Sequence, residues 1–265
     1  MEIVLSIAGS DPSAGAGIQQ DLKTITALGC YGCTVITALT TQNTQGVQDV
    51  KAVDGDVVAS QLQSLINDLD IAAIKIGQIP TRGAAEAIVR VLKPYLIIHP
   101  IPVVYDPVMV STSGRRMMDE ECVDYVKNEL FPLCTLITPN LPETEVLWGK
   151  TIRTTDDIEE AGRYLTEKYY TAFLVKGGHA EGEEMTDRLY LTDDTTESFN
   201  TKKIKSGNLH GTGCTLSSAI ASLLAKGQSL PEAVKGGKVV VSKGIEKGCL
   251  LRIGKGNGPL WLFNL

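Results

Sequence analysis

His210-Gly211-Thr212-Gly213-Cys214-Thr215-Leu216-Ser217-Ser218-Ala219-Ile220 sets two glycines, a hydroxyl and a thiol where a run of helix formers begins. The first N–H groups of a helix lack intrahelical partners, and the helix dipole adds positive charge there. Glycines let an anion approach the backbone closely, so the segment reads as a cradle for a phosphate or an oxyanion. The same surroundings predict a Cys214 thiol with its pKa lowered toward neutrality, able to take a proton from an alcohol or to stabilise a moving phosphoryl group. An ordinary glycine-rich turn ahead of a buried helix is the plainer reading of the same residues, because short glycine motifs recur widely.

Outward from this turn, strand-like runs alternate with helical patterns along all 265 residues. Residues 3–8, 34–39, 72–76, 103–105, 136–138 and 172–175 read as strands. Residues 15–28, 57–69, 84–96, 120–130, 156–168, 212–225 and 231–247 carry helical spacing. Gly29 suits a C-cap, and Thr154 or Thr155 an N-cap. Residues 189–191 and 197–199 look like a hairpin. The alternation predicts an α/β fold with a mostly parallel central sheet and helices on both faces. No repeat or linker interrupts residues 1–265, so one domain is expected.

The net charge of −6 argues against a protein built to neutralise the phosphates of a nucleic acid. No apolar run approaches the ~20 residues of a membrane span. The start, Met1-Glu2-Ile3-Val4-Leu5-Ser6-Ile7-Ala8, lacks a basic region and reads as a buried strand, so no signal peptide is expected. Six cysteines in this length do not make a disulfide framework. Cys30 and Cys33 form a C-x-x-C, but no second pair follows, and small residues at a helix–strand junction explain it better than a redox or zinc site. A reducing cytoplasm fits these features.

In open α/β sheets, ligands bind beyond the carboxyl ends of the strands. Five expected strand ends carry polar groups: Gly9-Ser10-Asp11, Gln42-Asn43, Asp106, Asn140 with Glu143, and Lys176. Asp106-Pro107 and Pro139-Asn140 are also good turn formers, but their joint placement points to one composite site. Phosphoryl transfer needs positioning, charge neutralisation and a destination for the acceptor's proton. The Gly211, Thr212, Gly213 and Cys214 amides can hold charge on the moving group. Asp106 and Glu143 can act through magnesium, which prefers oxygen ligands and keeps waters. Asn140 suits a phosphate or a magnesium-bound water, and Lys176 is a point charge for nucleotide phosphates. The chain has no P-loop, and neither Gly15-Ala16-Gly17 nor Gly211-Thr212-Gly213 extends to G-x-G-x-x-G. It also has no G-x-S-x-G elbow.

A set of segments then carries a resemblance. These are Ala8-Gly9-Ser10-Asp11-Pro12-Ser13 with Gly15-Ala16-Gly17-Ile18-Gln19 and Asp21-Leu22-Lys23-Thr24; Tyr31-Gly32-Cys33; Gln42-Asn43-Thr44; Lys75-Ile76-Gly77; Asp106-Pro107-Val108-Met109; Thr138-Pro139-Asn140-Leu141-Pro142-Glu143; Lys176-Gly177-Gly178-His179; and the stretch from His210 to Ser217. In this order, over nearly the whole chain, the sequence resembles the ribokinase-like superfamily. Within it, the sequence is similar to the hydroxymethylpyrimidine/phosphomethylpyrimidine kinases of thiamine biosynthesis.

The resemblance implies a three-layer α/β/α fold and ATP- and Mg2+-dependent phosphorylation of 4-amino-5-hydroxymethyl-2-methylpyrimidine and then of its monophosphate. It implies Cys214 as the base, where sugar-phosphorylating relatives carry aspartate. It implies Gln42 as reader of the aminopyrimidine edge, because a carboxamide offers an acceptor and two donors. Asp21, Val108 and Met109 would lie near the pyrimidine, and Asp187 and Lys176 would face the nucleotide. Gly9, Gly17 and Gly77 would permit close backbone approach. A small-molecule partner and a homodimer are implied, with no nucleic acid or membrane.

Two positions depart from the family pattern. Gln78 stands where methionine usually packs on the substrate, and Ala14 where many relatives have glycine. Gln78 reopens the choice between the pyrimidine and a pyridoxal or pyridoxine substrate, while Gln42-Asn43-Thr44 favours the pyrimidine. A non-catalytic pyrimidine-binding regulator is the rival from another class, and the presence of Cys214, Asp106 and Glu143 argues against it.

Overall fold

The computed structural model describes residues 1–110, 114, 116–177 and 184–263. Its strands sort their side chains to two faces, as the two-residue period of a pleated strand requires. On β1 (Ile3–Ser10), Val4 enters one core while Leu5 and Ile7 enter the other. On β4 (Ile71–Ile76), Ala73 and Ile74 divide the same way, as do Val104 and Tyr105 on β5 (Val103–Tyr105). Leu136 and Ile137 repeat the division on β6 (Leu136–Ile137), and Phe173 and Leu174 on β7 (Ala172–Val175). Strands apolar on both faces belong in a sheet covered on both sides.

The sheet completes itself with β2 (Tyr31–Asn43), β3 (Gly46–Ala52), β8 (Glu184–Tyr190) and β9 (Thr196–Lys202). Its order is β3-β2-β1-β4-β5-β6-β7-β8-β9. The strands from β2 to β7 in that order pair in parallel, and β3, β8 and β9 pair antiparallel at the edges. One layer holds α1 (Gly17–Ala27), α7 (Thr212–Ala225) and α8 (Leu230–Gly248), which bury Ile25, Leu216, Ile220 and Val234. The other holds α2 (Gly55–Ile66), α3 (Arg82–Ile98), α4 (Glu120–Tyr125), α5 (Leu141–Trp148) and α6 (Thr155–Tyr169), contributing Leu62, Ile88, Cys122, Leu147 and Leu165. The layered, mostly parallel α/β architecture agrees with the alternation in the sequence. No helix among the described residues is long and apolar enough to cross a membrane.

Three elements differ from expectation. β2 continues past residue 39 to Asn43 and turns back into β3, which the alternation did not reveal. Its outer half, Thr40-Thr41-Gln42-Asn43, is polar because an edge hairpin has no second core to face. Helix α5 was hidden by its brevity and by Pro142, yet Asn140 and Glu143 close a reciprocal capping box at its start. The helix expected over residues 120–130 is α-helical only to Tyr125. It widens into a π turn over Val126–Leu130 and tightens to 3-10 over Phe131–Leu133, where Pro132 has no N–H to continue the ladder. Thr154 rather than Thr155 caps α6, in a box with Asp157.

Candidate active site

The carboxyl ends of β1, β2, β5, β6 and β7 share one edge, because these strands run in parallel register through β4. Each end supplies a residue read from the sequence, and α7 arrives over the same edge.

Asp106 leaves β5 buried, with its N–H bonded to Ile76 O at 2.9 Å. Its Oδ1 accepts from Lys176 Nζ at 2.9 Å and from Thr138 Oγ1 at 3.3 Å. Lys176 is carried from the end of β7 by an N–H bond to Pro139 O at 2.9 Å. Burial works against the Lys176 ammonium, but Asp106 and Glu143 outweigh it and raise the pKa, so Lys176 is a fixed cation. Gly177, Gly178 and His179 follow it in the sequence motif. Gly177 is packed so that a side chain would strike Thr186 O, while Gly178 and His179 lie outside the described residues.

Asn140 and Glu143 do a structural task first. Asn140 Oδ1 accepts from the Glu143 N–H, and Glu143 Oε2 from the Asn140 N–H, both at 2.9 Å. Glu143 Oε1 takes the Met109 N–H at 3.4 Å. Burial pushes the Glu143 carboxyl up to about 7, and Asp106 adds to the rise against Lys176 and the two amides. Asn140 keeps its Nδ2 donor, which has no partner among the described residues.

Gly211 is the N-cap of helix α7, and its backbone is left-handed at φ 84°. A Cβ there would lie 1.9 Å from Gly15 O, so only glycine fits. The expected amide cradle is narrower than the sequence implied. The Thr212 N–H turns back to Leu209 O at 3.3 Å, while the Gly213 and Cys214 amides meet no acceptor among the described residues. Gly213 lets this helix start touch the ion pair, since a Cβ there would lie 3.0 Å from Asp106 Oδ2 and 3.7 Å from Lys176 Nζ.

The Cys214 thiol contradicts the expectation of a lowered pKa. Burial pushes it up to about 11, and Asp21 and Asp106 work in the same direction. Lys75 and the Gly17 amide pull it down but do not win. A helix start lowers a thiol's pKa where water or cations help, and here desolvation exceeds that gain. The C-x-x-C thiols are raised in the same way, Cys30 chiefly by burial. All six cysteines are free, and burial pushes Cys33 up to about 11.

Several residues expected at the ligand have partners within the protein. Asp21 is fully buried, and its carboxylate accepts from Ser6 Oγ at 2.6 Å, Lys75 Nζ at 2.7 Å and Ser218 Oγ at 2.7 Å. Asp187 is buried too, taking the Gly177 N–H at 2.8 Å and pairing with Lys238 from α8. Met109 packs in the apolar core, whereas Val108 stays half-buried at the edge. Gly9 makes room for Gln78, whose Oε1 would sit 2.2 Å from a Cβ there, and Gln78 Nε2 reaches Met117 O at 3.4 Å. Gly77 accommodates Lys75 Nζ, and Gly17 accommodates Gly9 O.

Two functional candidates escaped the sequence reading. Lys75 is a fully buried cation inside the apolar run of β4. His210, quoted but given no role, joins Gln42 to Asp11: its Nε2 lies 3.0 Å from Gln42 Nε2 and 2.9 Å from Asp11 Oδ2. A lysine in an apolar strand and a histidine opening a glycine turn were the available signals.

The donor chemistry fits magnesium. Asp106 Oδ2 has no donor among the described residues, and the raised pKa of Glu143 marks a carboxylate that a cation would relieve. No group of three or more His, Cys, Asp or Glu able to hold a metal occurs among the described residues. An ion there would therefore keep waters or phosphate oxygens in its shell, as magnesium does.

Fold and site together define a ribokinase-like kinase. The family model described as phosphomethylpyrimidine kinase matches residues 11–261. The hydroxymethylpyrimidine/phosphomethylpyrimidine kinase of Rhizobium meliloti (strain 1021) is 44% identical over 265 residues, covering 99% of this chain and 97% of its own. The crystal structure of phosphomethylpyrimidine kinase from Clostridium difficile 630 superposes with a TM-score of 0.80 at 38% identity, over 92% of this chain and 100% of its own. The pyridoxal kinase from Staphylococcus aureus, in complex with AMP-PCP and pyridoxal, superposes with a TM-score of 0.86 at 32% identity, over 98% of this chain and 93% of its own. The chain belongs to the phosphomethylpyrimidine kinase family.

Proposed function

We propose that the protein transfers the γ-phosphoryl group of ATP to the 5-hydroxymethyl oxygen of 4-amino-5-hydroxymethyl-2-methylpyrimidine, and then a second phosphoryl group to the monophosphate, yielding the diphosphate used to build thiamine. The observation that carries this reading is the approach of Gly213 to Asp106 and Lys176. It sets two helix-start amides, without acceptors among the described residues, beside a half-buried cation and a buried carboxylate, which is the provision a transferring phosphoryl group needs.

In this reading the Gly213 and Cys214 amides hold the moving phosphoryl oxygens, and Gly211 and Thr212 shape the turn. Lys176 neutralises the nucleotide's phosphates and Asn140 Nδ2 donates to them. Asp187 fixes the Gly177 backbone beside Lys176. Asp106 and Glu143 would hold Mg2+, which supplies charge neutralisation for the phosphates. A new P–O bond forms to the hydroxymethyl oxygen as the bond to the ADP oxygen breaks, and the hydroxyl proton passes to the Cys214 sulfur. Because burial raises Cys214, its thiolate is scarce at neutral pH but strongly basic. Lys75, held by Asp21, is the buried cation that limits the cost of forming it. Gln42 reads the aminopyrimidine edge, with Val108 and Gln78 beside the ring.

Phosphorylation of pyridoxal is the second reading. Gln78 favours it, since its amide offers hydrogen bonds where a thioether would offer only packing. ATP turnover measured against the aminopyrimidine, its monophosphate, pyridoxine and pyridoxal tests both. A higher kcat/KM for the pyrimidines is expected, and a preference for pyridoxal would overturn the first reading.

A further inference from the structure

Gln42 stands between two partners on opposite sides of its amide. His210 Nε2 is 3.0 Å from Nε2, and Thr40 Oγ1 is 3.2 Å from Oε1. The outward edge of the amide, one oxygen lone pair and one N–H, meets no partner among the described residues and is left for a ligand. Which atom stands on which side decides the order of donor and acceptor along that edge. A half-turn about the last side-chain bond exchanges them, and the surrounding hydrogen bonds determine the choice.

The surroundings are decisive on both sides. Asp11 is buried and receives only donors: Ser13 N–H at 2.8 Å and Ser13 Oγ at 2.7 Å on Oδ1, then Gly15 N–H at 3.2 Å and Ala16 N–H at 2.9 Å on Oδ2. Burial alone would raise its pKa, but the hydrogen bonds from His210 and Ser13 outweigh it and the net shift is downward. It is a carboxylate, so it can only accept, and His210 Nε2 at 2.9 Å must carry the proton between them. A protonated Nε2 cannot accept from the Gln42 amide nitrogen. It can share its hydrogen with the Gln42 oxygen. On the other side, the single Thr40 hydroxyl hydrogen goes to Ser10 O at 3.0 Å, so Thr40 Oγ1 has a lone pair to offer rather than a hydrogen. That lone pair suits an N–H. Turning the amide so that Oε1 faces His210 and Nε2 faces Thr40 satisfies both sides at once.

We infer that Asp11 and His210 form an orientation lock on Gln42: Asp11 fixes the proton on His210 Nε2, that proton holds the Gln42 oxygen, and the locked amide edge selects an amino-bearing ring over its oxo counterpart. The inference rests on the reading of Gln42 as the residue that pairs with the pyrimidine. A 4-aminopyrimidine presents a donor beside a ring acceptor. Its 4-oxo analogue presents the reverse, an acceptor beside a ring N–H. A free amide would rotate to suit either, whereas a locked one rejects the second. His210 is thus a positioning residue, acting on specificity through Gln42 and not on the phosphoryl group.

The test compares 4-amino-5-hydroxymethyl-2-methylpyrimidine with its 4-oxo analogue as alternative substrates. In His210→Leu the ratio of their kcat/KM values should fall about tenfold or more, a single hydrogen-bond mismatch being worth that much. The change should appear in KM, with kcat for the amino substrate little altered. His210→Gln can donate one N–H to Asp11 and one to Gln42, so it should restore most of the discrimination. Gln42→Leu is measured alongside. If it loses pyrimidine affinity while His210→Leu keeps the wild-type ratio, the lock is refuted and the Gln42 reading stands. If Gln42→Leu binds the pyrimidine normally, the Gln42 reading fails and takes the lock with it. Should His210→Leu not fold, the unaltered protein decides. The chain has only three histidines, so the ring nitrogens of His210 can be assigned by 15N NMR. A proton on Nε2 supports the lock and a lone pair there overturns it.

Discussion

Lys75 Nζ and Asp21 Oδ2 meet at 2.7 Å, and neither side chain reaches solvent. The pair joins β4 to α1, and Ser6 from β1 and Ser218 from α7 donate to the same carboxylate. Four elements around the start of α7 are thereby fixed relative to one another. The arrangement also explains Gly77, where a side chain would meet Lys75 Nζ at 2.7 Å. Lys75, held by Asp21, is the cation whose charge pulls down the Cys214 pKa.

Breaking this pair from one side should be costly. Lys75→Met leaves Asp21 as a buried carboxylate with two hydroxyl donors and no counter-charge, a change of about 3–5 kcal/mol in stability. Urea unfolding of the variant checks it. Lys75→Met combined with Asp21→Asn should recover part of the loss, because no unpaired charge remains. A loss below about 1 kcal/mol in the single variant would mean that Ser6 and Ser218 suffice.

Glu143→Gln separates structure from catalysis at the α5 start. Glutamine at the third helical position still completes a capping box, so the fold should be kept. The carboxylate charge beside Asp106 is lost. The apparent Mg2+ requirement for turnover should rise several-fold while pyrimidine affinity, read by calorimetry, changes little. An unchanged Mg2+ titration would remove Glu143 from the metal environment.

Gln78→Met tests the departure at the end of β4. Gln78 is buried against Gly9 and reaches Met117 O, so methionine of similar length should fit the same space. It would offer a polarisable thioether to a ring edge in place of an amide. The ratio of kcat/KM for the pyrimidine to that for pyridoxal should rise. If that ratio stays where it was, Gln78 is a packing residue only.

The sheet and its two helical layers were legible because buried parallel strands are short apolar runs and their helices carry amphipathic spacing. The rim was legible for the same reason: polar residues at strand ends stand out against such runs. What escaped depends on three-dimensional closure. β3 is an edge strand with one solvated face, so its polar residues hide it. The donors around Asp21 and Asp187 were not legible, because Ser218 and Lys238 come from helices about 200 and 50 positions away. Cys214 was placed correctly at a helix start, yet its pKa depends on how much water reaches the sulfur, which no local pattern encodes.

Cys214 carries the sharpest prediction, and the sign follows from its raised pKa. With a value of about 11, the thiol is neutral at pH 7, and its ionised fraction grows about tenfold for each unit of pH until about 11 is approached. Alkylation of Cys214 by iodoacetamide should therefore be slower at pH 7 than that of a small free thiol and should accelerate tenfold per pH unit through pH 9. It should still outpace Cys122, which is buried and pushed up to about 12, and bound pyrimidine should protect it. Where chemistry limits turnover, kcat should climb with pH along the same slope. Cys214→Ala should lower kcat by about 10²–10⁴-fold, the usual worth of a general base, and leave nucleotide affinity nearly intact because the Gly213 and Cys214 amides are backbone. In Cys214→Asp the slope should flatten, since a carboxylate is already ionised across that range. Wild-type turnover in Cys214→Ala under these conditions would leave the cysteine as a small residue at a helix start, and the proton would need another destination.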